Sequence, residues 1–255
     1  MVSTASRVGT GNIVGVSSAI CIGGVGSVFW MWIIAILGSA SALAESTLAQ
    51  IYKKKGEDGK CYGGPAYYIE AALHSRGLAV VFCIAMILTY AFGFNMLASY
   101  NLQSTFAGQP FYNADITPWI IGGILALVMG WCLLGGGNRI VKVTSTLVPF
   151  MGIAYILVSL LVVVLNIGQL PSVMAQIFKE AFDFKAIFAG FAGSAMMQGI
   201  RRGLYSNEAG IGSAPNAAAS AVVSHPVKQG LVQMLSVFID TLLLCTATAM
   251  MCLVS

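Results

Sequence analysis

The sequence predicts an all-α membrane protein, and three observations carry that reading. First, 58% of its 255 residues are apolar and only 9% are charged, against about 25% charged in a typical soluble domain. Second, the apolar residues come in runs of roughly 17 to 28, long enough to cross a hydrocarbon layer of about 30 Å at about 1.5 Å per helical residue. Third, the 13 Lys and Arg residues lie mostly between those runs. There they report membrane topology; they form no basic stripe of the kind that binds nucleic acid.

The elements follow in order. Residues 13–22 are apolar but too short to span alone, and read as half of a broken helix. Residues 25–52 form the first full span, with Trp30 and Trp32 near its start, and it ends at Lys53, Lys54 and Lys55. The stretch 53–76 holds five basic residues and the turn signal Gly63-Gly64-Pro65, so it is a surface loop on the cytoplasmic side by the positive-inside rule. Residues 78–106 cross outward. The next loop carries Asp115 but no basic residue, as suits the outer side, and 118–134 then return inward to Arg139 and Lys142. Residues 140–166 cross outward again. An interrupted span occupies 184–223, broken by Arg201, Arg202 and a run of small residues, and 230–253 complete seven crossings, two of them broken.

The breaks carry the functional signal. The stretch SRVGTGNIVGVSSA, from Ser6 to Ala19, places glycines, Thr10 and Asn12 where a hydrophobic helix should continue. It is no dinucleotide fingerprint, because neither a preceding strand nor the acidic residue beyond is present. No G-x-S-x-G surrounds Ser206, no His pair has metal spacing, and the six cysteines lack a CxxC pattern, so neither enzyme chemistry nor a cofactor is expected. At membrane depth such a break frees backbone groups, which is tolerated where protein or a water-filled cavity surrounds them. The freed helix terminus attracts an anionic group, and the unwound carbonyls hold a cation. Close helix packing by small residues is the competing explanation.

A second break shifts the balance. The segment from Gly203 to Pro215 repeats the glycines, hydroxyls and amide of the first, in the sixth span. Two broken spans five apart, crossing in opposite directions, are what an inverted five-helix repeat produces. The whole chain, 1–255, then forms one transporter domain, with a first repeat of about 1–166 and the start of a second at about 182–255. The second break has two possible placements: at 203–215, or earlier at Gly190, Gly193, Ser194 and Gln198, which would bring Gln198 to the site. Glu45, Glu208 and Asp240 are ionisable residues at membrane depth, where charge costs at least about 2.5 kcal/mol. A structural ion pair weighs slightly above ion binding for all three, and Glu208 is placed to neutralise Arg201 or Arg202.

At these residues the chain resembles the alanine or glycine:cation symporters, also called sodium:alanine symporters or amino-acid carrier proteins. The resemblance lies in GTGNIVGV at 9–16, GGVGSVFWMWIIAILG at 23–38, GGPAYYIE at 63–70, RGLYSNEAGIGSAP at 202–215 and HPVKQGLVQMLSVFIDTLLLCTAT at 225–248. It implies the five-plus-five inverted-repeat fold and sodium-driven uptake of small neutral amino acids such as alanine or glycine. On that basis Thr10, Gly11 and Asn12 meet the substrate carboxylate, with Gly9 and Asn12 at a sodium ion. Tyr205, Ser206 and Asn207, or Gln198, close the site, and Gly210 and Gly212 let the second break bend. Where the family often has a glutamine this chain has Ala98, and Asn101 and Gln103 offer polar groups nearby. The expected partners are a small neutral amino acid, sodium and the lipid bilayer of the cell membrane, with no nucleic acid and a monomeric state. The chain is shorter than members of that family and reads as a truncated one. A cation-coupled carrier of another small solute, or a non-transporting truncated paralogue, is the alternative.

Overall fold

The computed structural model describes residues 7, 9, 11–57, 59, 61–110, 112–183 and 194–254, without the side chain of Asn138. Five of its helices are long and apolar enough to cross a membrane. These are α2 (Ser27–Ile51), α4 (Arg76–Ser104), α5 (Thr117–Leu134), α6 (Gly136–Leu165) and α10 (Pro226–Val254). Their limits fall within a few residues of the apolar runs, because length and apolarity are all that a spanning helix requires. Two interrupted segments accompany them. One is α1 (Gly11–Gly23). The other is the pair α8 (Ala195–Asn207) and α9 (Ser213–Ala219). The chain is an all-α membrane protein.

Two features depart from the sequence reading. The 53–76 loop is structured: β1 (Lys54–Lys55) pairs antiparallel with β2 (Cys61–Tyr62), and α3 (Pro65–Leu73) follows with its proline in the first turn, where a missing N–H costs nothing. The stretch after α6 holds α7 (Leu170–Ala181), a helix too short to span. Its Val173, Ile177 and Ala181 are buried at helical spacing, so it lies as a strut across α2 and α10.

The strut is fastened by specific contacts. Glu180 Oε2 accepts from Val25 N at 2.8 Å and from Gly26 N at 3.4 Å, which satisfies donors at the start of α2 that have no partner within the helix. Trp30 Nε1 donates to the carbonyl of Ala181 at 3.0 Å, and Phe29 packs between Phe178 and Phe182.

Helices α1, α2, α8 and α10 make the packed half of the molecule. In lipid the hydrophobic effect does not draw helices together, so close approach and dispersion must. Seven of the ten buried residues of α2 are accordingly small, Ser27, Ala35, Gly38, Ser39, Ala42, Ser46 and Ala49, beside Val28, Met31 and Gln50. A Cβ on Gly199 of α8 would sit 2.4 Å from the Ser27 carbonyl oxygen, and one on Gly230 of α10 would sit 2.3 Å from Thr47 Oγ1. Glycine there sets how closely the backbones approach.

Candidate ion and substrate site

Helices α1 and α8 run antiparallel, since Gly11 faces Ser206, Gly15 faces Arg202 and Gly23 faces Gln198. Their interrupted ends therefore meet. The first interruption is marked by the bend at Gly9, ahead of Gly11. The second falls at 208–212, where Glu208, Gly210 and Gly212 have φ of 48°, 84° and 94°. Left-handed backbone of that kind ends a helix, and two of the three positions are glycine. Because α8 is continuous from Ala195 to Asn207, Gln198 lies inside a helix, while Gly190 and Gly193 of the earlier placement lie outside the described residues.

Three of the helices around this point open into π-turns: α1 over Gly11–Gly15, α4 over Thr89–Phe94 and α10 over Ile239–Cys245. Such turns recur at functional sites because the extra residue per turn re-aims side chains. Here the first and third aim Asn12 and Asp240 at each other. Asn12 Nδ2 donates to Asp240 Oδ1 at 2.8 Å, and Ser206 Oγ lies 2.7 Å from Asp240 Oδ2 and 2.9 Å from Asn12 Oδ1. Asp240 is fully buried and Ser206 and Asn12 nearly so.

Proton counting shows what this cluster lacks. Ser206 has one hydroxyl proton but faces two acceptor oxygens, so with Asp240 ionised one oxygen pair meets without a proton between. A hard monovalent cation satisfies such a set of amide, hydroxyl and carboxylate oxygens. Among the described residues no group of three or more His, Cys, Asp or Glu side chains converges as a multivalent metal site would require.

A second knot closes the cluster. Arg7 is 2% exposed; its Nε donates to the carbonyl of Asn207 at 2.7 Å and its Nη1 to Gln233 Oε1 at 3.0 Å. The guanidinium caps the C-terminus of α8, where a positive charge is favoured, and ties it to α10. Thr241 Oγ1 donates to Asn207 Oδ1. Arg7 is also within electrostatic reach of Asp240, Glu208 and Glu45, and Glu208 Oε2 accepts from Ser213 at 2.8 Å.

The expected site residues are distributed as follows. Asn12, Ser206 and Asn207 belong to the buried cluster, and Gly9 and Asn12 line an adjoining cavity of about 660 Å³. Gly11 lies under the Tyr205 ring, which stacks on Phe94, itself stacked on Tyr90. Gly210 is in the turn of the break. Gln198 sits eight residues back along α8, about 12 Å by helical rise, beside Gly23. Gln103 is engaged by the loop beyond α4, accepting from Tyr112 OH at 2.7 Å. Thr10, Gly190 and Gly193 lie outside the described residues. Asp240, at the centre, stood out in the sequence only as a charge at membrane depth. Arg7 stood out only as a basic residue just before the first break, and Gln233 gave no signal.

A family model described as the sodium:alanine symporter family matches residues 1–255. Similar curated proteins include the "Probable sodium/glutamine symporter GlnT" of Bacillus subtilis (strain 168), 49% identical over all of this chain and 52% of the relative. The amino-acid carrier protein AlsT of the same organism is 46% identical over 97% of this chain and 52% of the relative. The sodium/alanine symporter AgcS of Methanococcus maripaludis is 40% identical over 98% of this chain and 55% of the relative. The chain spans about half the length of the curated relatives it matches.

Proposed function

The chain belongs to the sodium:alanine symporter family, and from that premise we propose that it serves sodium-coupled uptake of a small neutral amino acid across the cell membrane. Alanine and glycine are the simplest such cargo; the relatives' names specify alanine for one and glutamine for another. The observation that carries the reading is the convergence of Asn12, Ser206 and Asp240 where the two interrupted segments meet.

Sodium is held there by Asn12 Oδ1, Ser206 Oγ and Asp240 Oδ2, with Gly9 beside it, and so supplies the charge that the proton count leaves missing. The amino acid occupies the adjoining cavity, its carboxylate toward the Gly9–Asn12 backbone, and the Tyr205, Phe94 and Tyr90 stack covers the approach. Because the coupling ion touches α1, α8 and α10 together, its arrival draws three elements into one body and favours the arrangement that encloses substrate. The antiparallel meeting of α1 with α8 supports a pair of inverted repeats, the first of about 1–166 and the second beginning near 182, working as a monomer.

The test is uptake of labelled alanine and glutamine into vesicles under an imposed sodium gradient. The native protein is expected to accumulate amino acid only with the gradient, and Asn12→Leu is expected to insert but lose uptake, since the change strips an amide from the cluster. Unchanged accumulation by Asn12→Leu would return the first break to a packing role.

A further inference from the structure

The π-turn of α10 brings one more group to the polar cluster, which the sodium reading leaves unused. Cys245 ends the turn, five residues after Asp240. Five is the repeat of π-helix hydrogen bonding, and both side chains reach Ser206 Oγ: Cys245 Sγ lies 3.3 Å from it, with either atom able to donate. The cysteine is 3% exposed. A buried cysteine ordinarily acts as a small hydrophobe, but one that only packs needs no hydroxyl at its sulfur.

Three side-chain atoms surround Ser206 Oγ: Asp240 Oδ2 at 2.7 Å, Asn12 Oδ1 at 2.9 Å and this sulfur. Sodium at the cluster takes both of those oxygens and the hydroxyl oxygen itself. A hydroxyl that offers its lone pairs to a cation turns its proton away from the ion, and away from the two oxygens that share the ion. Of the three neighbours, the sulfur is the acceptor that remains. With the site empty the bond runs the other way: Ser206 donates to Asp240, and the thiol S–H donates to Ser206 Oγ.

We propose that Cys245 is a positioning residue for the coupling ion, whose thiol accepts a hydrogen bond from Ser206 when sodium is bound and donates one to Ser206 when the site is empty. The inference rests on the carrier reading above, with sodium at this cluster. Two side-chain rotors turn, about a C–O and a C–S bond, and no proton is gained, lost or transferred. Ser206 is thereby satisfied in both states, so the ion does not leave a buried hydroxyl proton unpaired when it arrives.

The experiment measures the sodium concentration for half-maximal alanine uptake, in membrane vesicles from cells expressing the native gene product or its Cys245 variants. Loss of one hydrogen bond corresponds to roughly three- to tenfold in affinity. Cys245→Ala and Cys245→Val, one smaller than cysteine and one larger, should both raise the half-saturating sodium concentration by about that factor. Cys245→Ser keeps a group that donates and accepts, and should stay within about twofold of native. A variant that has lost uptake is read by the sodium-dependent rise of its thermal midpoint in detergent, which follows ion affinity without transport. Sodium dependence equal to native in both Cys245→Ala and Cys245→Val overturns the proposal and leaves the carrier reading intact. So does a sodium requirement raised as far in Cys245→Ser as in Cys245→Ala. No sodium-driven uptake by the native protein, with the chain present in the vesicles, overturns the carrier reading and this inference with it.

Discussion

Helices α2 and α5 have nearly equal mean hydropathy, yet 39% of the most apolar stretch of α2 is buried and none of α5. In water that contrast would be paradoxical, because burial follows apolarity. In a bilayer lipid tails solvate leucine as well as protein does, so apolarity places a segment at membrane depth without saying what it touches. Small and hydroxyl side chains decide contact instead. The buried stripe of α2 is mostly Ser, Ala and Gly, with Val28, Met31 and Gln50 among them, where the exposed faces of α5 have Trp119, Ile120, Ile124 and Leu127. Helix α10 joins α2 on the packed side, and α4 and α6 join α5 on the exposed one.

The sharpest way to break this contrast is to add the same side chain to a glycine in each half. Gly199→Val drives a methyl toward the Ser27 carbonyl oxygen and Trp30, whereas nothing lies within 4 Å of a Cβ on Gly122 in α5. Overpacking against backbone sits at or beyond the top of the usual range of about 1–3 kcal/mol. Heating the detergent-solubilised protein and following its monodisperse fraction should show Gly199→Val lower by roughly 10 °C or failing to assemble. Gly122→Val should stay within about 2 °C of native. Equal losses at the two sites would mean that the exposed half is packed more tightly than the structure shows.

A smaller effect is expected at the polar cluster, read in function. Asp240→Asn keeps shape and removes charge, and the half-saturating sodium concentration for uptake should rise at least about tenfold, the equivalent of about 1.4 kcal/mol. An unchanged sodium dependence would reassign the cluster to structure alone. Smaller again is Glu180→Ala, which removes the acceptor for Val25 N and Gly26 N. Loss of such a cap costs about 1 kcal/mol, read as a thermal midpoint lower by about 2–4 °C. At the bottom of the scale Leu134→Ala, on a side chain 91% exposed, should move the midpoint by less than Glu180→Ala does.

The spans were legible because a membrane imposes one length on every helix that crosses it. Both interruptions were legible too, because the second repeats the glycines, hydroxyls and amide of the first, which packing of small residues alone does not require. Asn12, Ser206 and Asn207 were reached that way. What the sequence withheld was partnership over distance. Asp240 was visible as a costly charge, but its partner Asn12 lies 228 positions away, and Arg7 finds Asn207 across 200. Placing the second break by its glycines left Gln198 in contention, and α8 carries that residue inside a helix, about 12 Å along from Ser206. Helix α7 escaped for a different reason. Leu170, Val173, Met174, Ile177, Phe178 and Ala181 recur at helical spacing, but twelve residues are too few to span, and a reading tuned to crossings passes over a strut.

The π-turn in α10 makes the chain's length at that point consequential. Ile239–Cys245 carries a residue more than an α-helix would need, and that surplus rotates everything beyond it by about 100° relative to what precedes it. In its first turn Asp240 points at Asn12; downstream of it Thr246 receives the Trp32 indole N–H and Thr248 meets Tyr155. Both alignments coexist only because of the extra residue. Deleting Leu242, whose side chain is half-exposed, would let the helix close into regular α geometry. It would swing Thr246 and Thr248 out of phase with Asp240, so indel tolerance here should be far poorer than tolerance to substitution.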